Sequence, residues 1–160
     1  HGMPDLNYEE PKVKEAIFEA ADFWLEDIGI DGFRLDAVKF IVEEGQRGED
    51  TQGTYQFWHE FNQHYKTTNP EAFTVGEAWT NTETAVNYVK DDRIDYCFEF
   101  DLAGNILYSV NDGVATNLYE QMQKMYNIRG KTAKSFTEHG TPHVWLGLRC
   151  SVLSFLCCVL

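Results

Sequence analysis

Asp31-Gly32-Phe33-Arg34-Leu35-Asp36 alternates apolar with polar side chains, as a short strand with two different faces does. Upstream, residues 11–28 carry Val13, Ile17, Ala20, Ala21, Trp24 and Ile28 on one helical stripe. Pro11 suits the first turn of that helix, Glu9 and Glu10 its positive end, and Gly29 its exit. Downstream, residues 37–48 are irregular and predict a loop with a short helix. Residues 54–66 return to helical spacing through Tyr55, Phe57, Trp58, Phe61 and Tyr65, and Asn69-Pro70 ends that run. A second strand is predicted over 73–77, a short helix over 82–90 and a third strand over 94–100. Residues 102–126 read as mostly helical, with a break near Asp112-Gly113. Strands that alternate with helices imply an α/β fold, a parallel sheet covered by helices. Three strands are visible, where a closed barrel needs about eight.

The polar residues of these strands carry the candidate chemistry. Side chains at i and i+2 share a face, so Arg34 and Asp36 point together while Phe33 and Leu35 pack beneath the helices. Asp36 and Glu77 each end a strand, on the rim where barrel enzymes place catalysis. Two acids from adjacent parallel strands can approach to the ~5–5.5 Å that retaining glycoside hydrolysis requires. One would attack the anomeric carbon; the other would protonate the leaving oxygen and then activate water. Arg34 beside Asp36 would keep that carboxylate ionised. The competing structural reading makes Asp36 a helix cap and Arg34–Asp36 an ordinary ion pair. Trp79 fits either a sugar-stacking surface or the core, whereas Phe57, Trp58 and Phe61 fit the core. His59-Glu60 opens like a zinc-protease helix, but His64 follows at i+5, about 140° around the axis, where that motif needs i+4.

Composition narrows the field. With 13 basic against 26 acidic residues the formal charge is −13, which argues against nucleic acid as a partner. A content of 43% hydrophobic residues argues against disorder. No signal-peptide pattern is visible. Residues 144–160 differ from the rest: they hold one charge, Arg149, and Cys150, Cys157 and Cys158. That stretch is too short on either side of Arg149 for the ~20 apolar residues of a membrane span. It reads as out-of-frame translation, with a native core element as the alternative. Two parts are therefore expected, a partial catalytic barrel at 1–143 and an aberrant hydrophobic tail at 144–160.

The motifs together resemble the alpha-amylase family, glycoside hydrolase family 13. Asp31 through Phe40 is similar to the stretch carrying that family's nucleophile on the fourth barrel strand, and Gly76-Glu77-Ala78-Trp79 to its acid/base stretch on the fifth. Met3-Pro4-Asp5-Leu6-Asn7 is similar to the shorter motif that precedes them. The resemblance implies an incomplete (β/α)8 TIM barrel, roughly its fourth to sixth strands with their helices. It also implies retaining hydrolysis of alpha-glucosidic bonds in an alpha-glucan or maltooligosaccharide. Asp36 would be the nucleophile, Arg34 its orienting partner and Glu77 the acid/base, with Lys39, Phe40 and Trp79 near the sugar. Phe40 stands where amylases usually carry His and the oligo-1,6-glucosidase branch often carries Phe. Asp5 matches a calcium-ligand position, or else serves as a turn residue. The third family carboxylate is missing: Phe136-Thr137-Glu138-His139-Gly140 has Glu and Gly where Asn and Asp are expected. The chain alone is accordingly expected to be inactive. An oligo-1,6-glucosidase or transglycosylase of the same family, and a non-catalytic carbohydrate-binding or scaffold homologue, are the alternatives.

Overall fold

Pro11 lacks an amide proton that the first helical turn would leave unused, and α1 (Pro11–Asp22) begins on it. The helix then runs on with a wider pitch: Phe23–Ile28 form a π-helical turn that buries Leu25 and leaves Ile28, expected on the apolar stripe, exposed, before Gly29, at φ 76°, ends it. A computed structural model describes residues 6–133 of the chain. Asp5, the stretch 136–140 and the tail 144–160 lie outside the described residues.

After α1 the order is β1 (Gly32–Leu35), α2 (Gln52–Thr68), β2 (Phe73–Gly76), α3 (Thr82–Val89), β3 (Tyr96–Cys97), α4 (Phe100–Asp112) and α5 (Thr116–Ala133). The three strands form one parallel sheet in the order β1-β2-β3. Gly32 pairs with Phe73 and Leu35 with Gly76; Val75 then pairs with Tyr96 and Gly76 with Cys97. The α/β reading therefore stands, with a small parallel sheet.

Strand alternation sets the core. Phe33 and Leu35 are buried while Gly32 and Arg34 are partly exposed. Phe33 meets Phe61 of α2 with ring centroids 6.0 Å apart, and Phe57, Trp58 and Tyr65 complete the same cluster. Thr51 starts α2 by accepting the Thr54 amide at 3.1 Å, an N-cap that the apolar spacing alone does not reveal. At the N-terminal end of the sheet, Asp95 accepts the Thr74 amide at 2.8 Å and pairs with Lys66 at 3.1 Å. It also accepts the hydroxyl of fully buried Tyr65. This network bolts β2 and β3 to α2.

Two expectations need correction. Residues 37–48 contain no helix. Ala37, Gly45 and Asp50 take positive φ, and backbone groups are satisfied by side chains from the start of α2 instead of by helical bonds. The Val42 amide donates to Thr54 Oγ1 at 2.9 Å, and Thr51 Oγ1 donates to the Val42 carbonyl at 2.6 Å. The third strand is only Tyr96–Cys97, shorter than 94–100. On one side, the Asp95 amide goes to Thr74 Oγ1 rather than to a strand carbonyl. On the other, Glu99 leaves the sheet to cap α4 by accepting the Leu102 amide at 3.2 Å.

Candidate active site

The β1–β2 pairing continues one step past the strands and carries both acids to the same rim. The Glu77 amide donates to the Leu35 carbonyl at 2.9 Å, and the Glu77 carbonyl accepts the Val38 amide at 3.2 Å. Between those two bonds lie Asp36 and Ala37. Ala37 has φ 46°, a left-handed conformation that costs a residue bearing Cβ and turns the chain sharply after Asp36.

Arg34 joins the acids. One terminal nitrogen of its guanidinium donates to Asp36 Oδ1 and the other to Glu77 Oε2. Arg34 and Glu77 are partly buried, whereas the Asp36 side chain is about half exposed. The proton affinities of the two carboxyl groups part. Asp36 is held below its ordinary value by the hydrogen bond with Glu77 and by the Arg34 hydrogen bond and charge, which outweigh desolvation. Glu77 is pushed up by burial first, then by the hydrogen bond and negative charge of Asp36, against the pull of Arg34. The proton affinity of Asp36 is thus lowered and that of Glu77 raised, the direction of division that a nucleophile and a general acid need.

The remaining expected site residues are arranged on the same side. Trp79 is 70% exposed, and its ring stacks on Phe100 with centroids 4.6 Å apart and planes 15° from parallel. Lys39 is buried and directs Nζ to the Trp79 carbonyl at 3.1 Å and to the Glu49 carboxylate at 2.8 Å. Phe40 is exposed, with its ring centroid 5.3 Å from that ammonium. Phe100 and Glu49 escaped sequence reasoning, since each acquires its role from a partner distant along the chain. His59 and His64 turn to separate partners: His59 Nδ1 lies 2.8 Å from the Asp91 carbonyl, and His64 Nε2 lies 2.9 Å from Asp22. Among the described residues no three His, Cys, Asp or Glu side chains converge on a metal position. Asp5, the expected calcium ligand, lies outside them. None of their helices is long and apolar enough to cross a membrane.

Residues 1–147 match the model of the alpha amylase catalytic domain. The chain is 33% identical over 136 residues to Alpha-amylase 3 of Dictyoglomus thermophilum, covering 85% of this chain and 26% of that protein. It is 51% identical over 57 residues to the trehalose synthase of a Pimelobacter species, covering 35% of this chain and 10% of that protein. Among solved structures, the cyclic alpha-maltosyl-(1→6)-maltose hydrolase of Arthrobacter globiformis, in complex with that sugar, superposes with a TM-score of 0.62. There the identity is 25%, over 76% of this chain and 24% of that one. The chain spans about a quarter or less of the length of these proteins.

Proposed function

The chain belongs to the alpha-amylase family of glycoside hydrolases, and we propose that it supplies the catalytic rim of a complete barrel that cleaves alpha-glucosidic bonds with retention. On this reading β1, β2 and β3 are the fourth, fifth and sixth barrel strands. The observation that carries the reading is the single Arg34 guanidinium bonded to both Asp36 and Glu77 at the ends of adjacent parallel strands.

The reaction assigns the lowered acid, Asp36, as the nucleophile and the raised acid, Glu77, as the proton donor. Ionised Asp36 attacks the anomeric carbon of the bound glucosyl unit while protonated Glu77 gives its proton to the glycosidic oxygen, whose bond to that carbon breaks. A glycosyl ester on Asp36 remains, and Glu77 is left as a carboxylate. Glu77 then takes a proton from water as the water oxygen attacks the anomeric carbon and releases Asp36. Two inversions give net retention. Arg34 holds Asp36 in its charged form and in line with the sugar, and the exposed face of Trp79 offers a flat apolar surface to a glucose ring.

The test is Glu77→Gln in a complete protein carrying this segment, assayed on maltotriose. The turnover should fall roughly 10²–10⁴-fold, the usual contribution of a positioned acid/base. Survival at full rate would refute the assignment. The stretch shared with a trehalose synthase favours a second reading, in which the same two acids pass the glucosyl group to a sugar hydroxyl instead of water. Product analysis on maltose separates the two, because hydrolysis yields glucose alone and transfer yields a new disaccharide or a longer chain.

A further inference from the structure

The turn from Glu77 to Trp79 joins the acid to the exposed indole, and two side chains from other elements grip its far end. Lys39 comes from the loop after β1 and reaches the Trp79 carbonyl at 3.1 Å. Lys39 is 9% exposed, and its ammonium pairs with Glu49 of the same loop at 2.8 Å. A buried ammonium is costly unless its protons find acceptors, so this one is fixed in place by what it binds. Phe100, the first residue of α4, lies against one face of the Trp79 ring. The near end of the turn is already tied into the sheet through the Glu77 amide and carbonyl. The turn, which opens the connection after β2, is thus fastened at both ends by residues from β1, the loop after β1 and the start of α4.

We propose that Lys39 and Phe100 are positioning residues, which act through the Glu77–Trp79 turn to hold the general acid over the leaving oxygen. Lys39 then serves the reaction from within the protein, through the Trp79 carbonyl. The inference rests on the acid/base reading of Glu77 and adds to it. A misplaced acid harms a reaction in proportion to how much the leaving group needs a proton. An alcohol leaving group needs one; fluoride does not.

The experiment compares Lys39→Met and Phe100→Leu with the parent in the complete barrel protein, on maltotriose and on α-maltosyl fluoride. The expected result is a kcat/KM loss of roughly 10–100-fold on maltotriose, the scale of an ångström-level displacement, with kcat/KM for fluoride release, which reports only the steps up to the glycosyl ester and not the later attack of water, within about twofold of the parent. Phe100→Tyr, which keeps the ring, should restore the maltotriose rate. Equal losses on the two substrates, from misfolding or from general loosening, would overturn the proposal, and so would no loss on either. Glu77→Gln is run beside them. If it shows the leaving-group split and the Lys39 and Phe100 variants do not, the positioning role alone fails. If Glu77→Gln itself shows no split, the acid/base reading fails.

Discussion

One guanidinium between two carboxyl groups acts on both in the same direction, because its charge favours the ionised form of each. Arg34 lowers Asp36 and also opposes the upward push that burial and Asp36 exert on Glu77. In a retaining reaction the acid limb of kcat/KM follows deprotonation of the nucleophile and the alkaline limb follows deprotonation of the acid. Arg34→Met removes the positive charge, so both proton affinities rise and both limbs should move to higher pH. A pH profile of the variant on maltotriose checks the direction. A profile that stays in place, or moves to lower pH, would mean that Arg34 does not set the charge of this pair. Part of this arrangement is legible in the sequence: the i, i+2 rule puts Arg34 beside Asp36. The bond from Arg34 to Glu77 is not, since it depends on the register that sets Leu35 opposite Gly76. Lys39 was expected to face the sugar from its place in a motif, and its grip on the Trp79 carbonyl depends on a contact forty residues along the chain.

That register has its own residue-level guard at the start of β1. A Cβ added to Gly32 would sit 1.9 Å from the Phe73 carbonyl oxygen, a backbone atom that cannot move without breaking the pairing. Gly32→Ala should therefore destabilise the chain by about 1–3 kcal/mol, read as a lower urea midpoint. Gly104 in the middle of α4 has nothing within 4 Å of such a Cβ, and Gly104→Ala should stabilise by about 0.5–1 kcal/mol. Opposite signs from the same substitution would show that close approach, and not glycine entropy, governs Gly32; equal signs would refute this. Element type was readable for the helices and strands that form, because each shows its own period, but not for residues 37–48, where an expected short helix is replaced by a loop tied to Thr51 and Thr54. Element length was less so. The π-helical turn at Phe23–Ile28 buries Leu25 and turns Ile28 out to solvent, a shift that α-helical spacing does not anticipate. The third strand is cut short by Asp95 and Glu99, whose side chains take partners in Thr74 and the start of α4.

At the scale of the molecule, two forces oppose each other. Among the described residues the sheet has three strands, so one side of β1 and one side of β3 have no strand beside them. The α4–α5 hairpin exposes Leu107, Tyr108, Val110, Tyr119, Met122 and Tyr126 by half or more of their surface. Both features favour association of copies through apolar contact and strand addition. Against them stands a formal charge of −13 on 160 residues, which keeps copies apart at distances that salt shortens. The Debye length falls from ~30 Å at 0.01 M to ~8 Å at 0.15 M, below the reach of most of that repulsion, while burial of apolar surface is not screened. The 160-residue chain should therefore self-associate, and more strongly as sodium chloride is raised. Its turnover of starch should be negligible, because two acids on an unclosed sheet do not enclose a sugar. Sedimentation velocity at the two salt concentrations, with a starch assay on the same samples, checks both statements. A monomer at both salts that hydrolyses starch would show that this sheet needs no further strands, and the account of its open edges would be wrong.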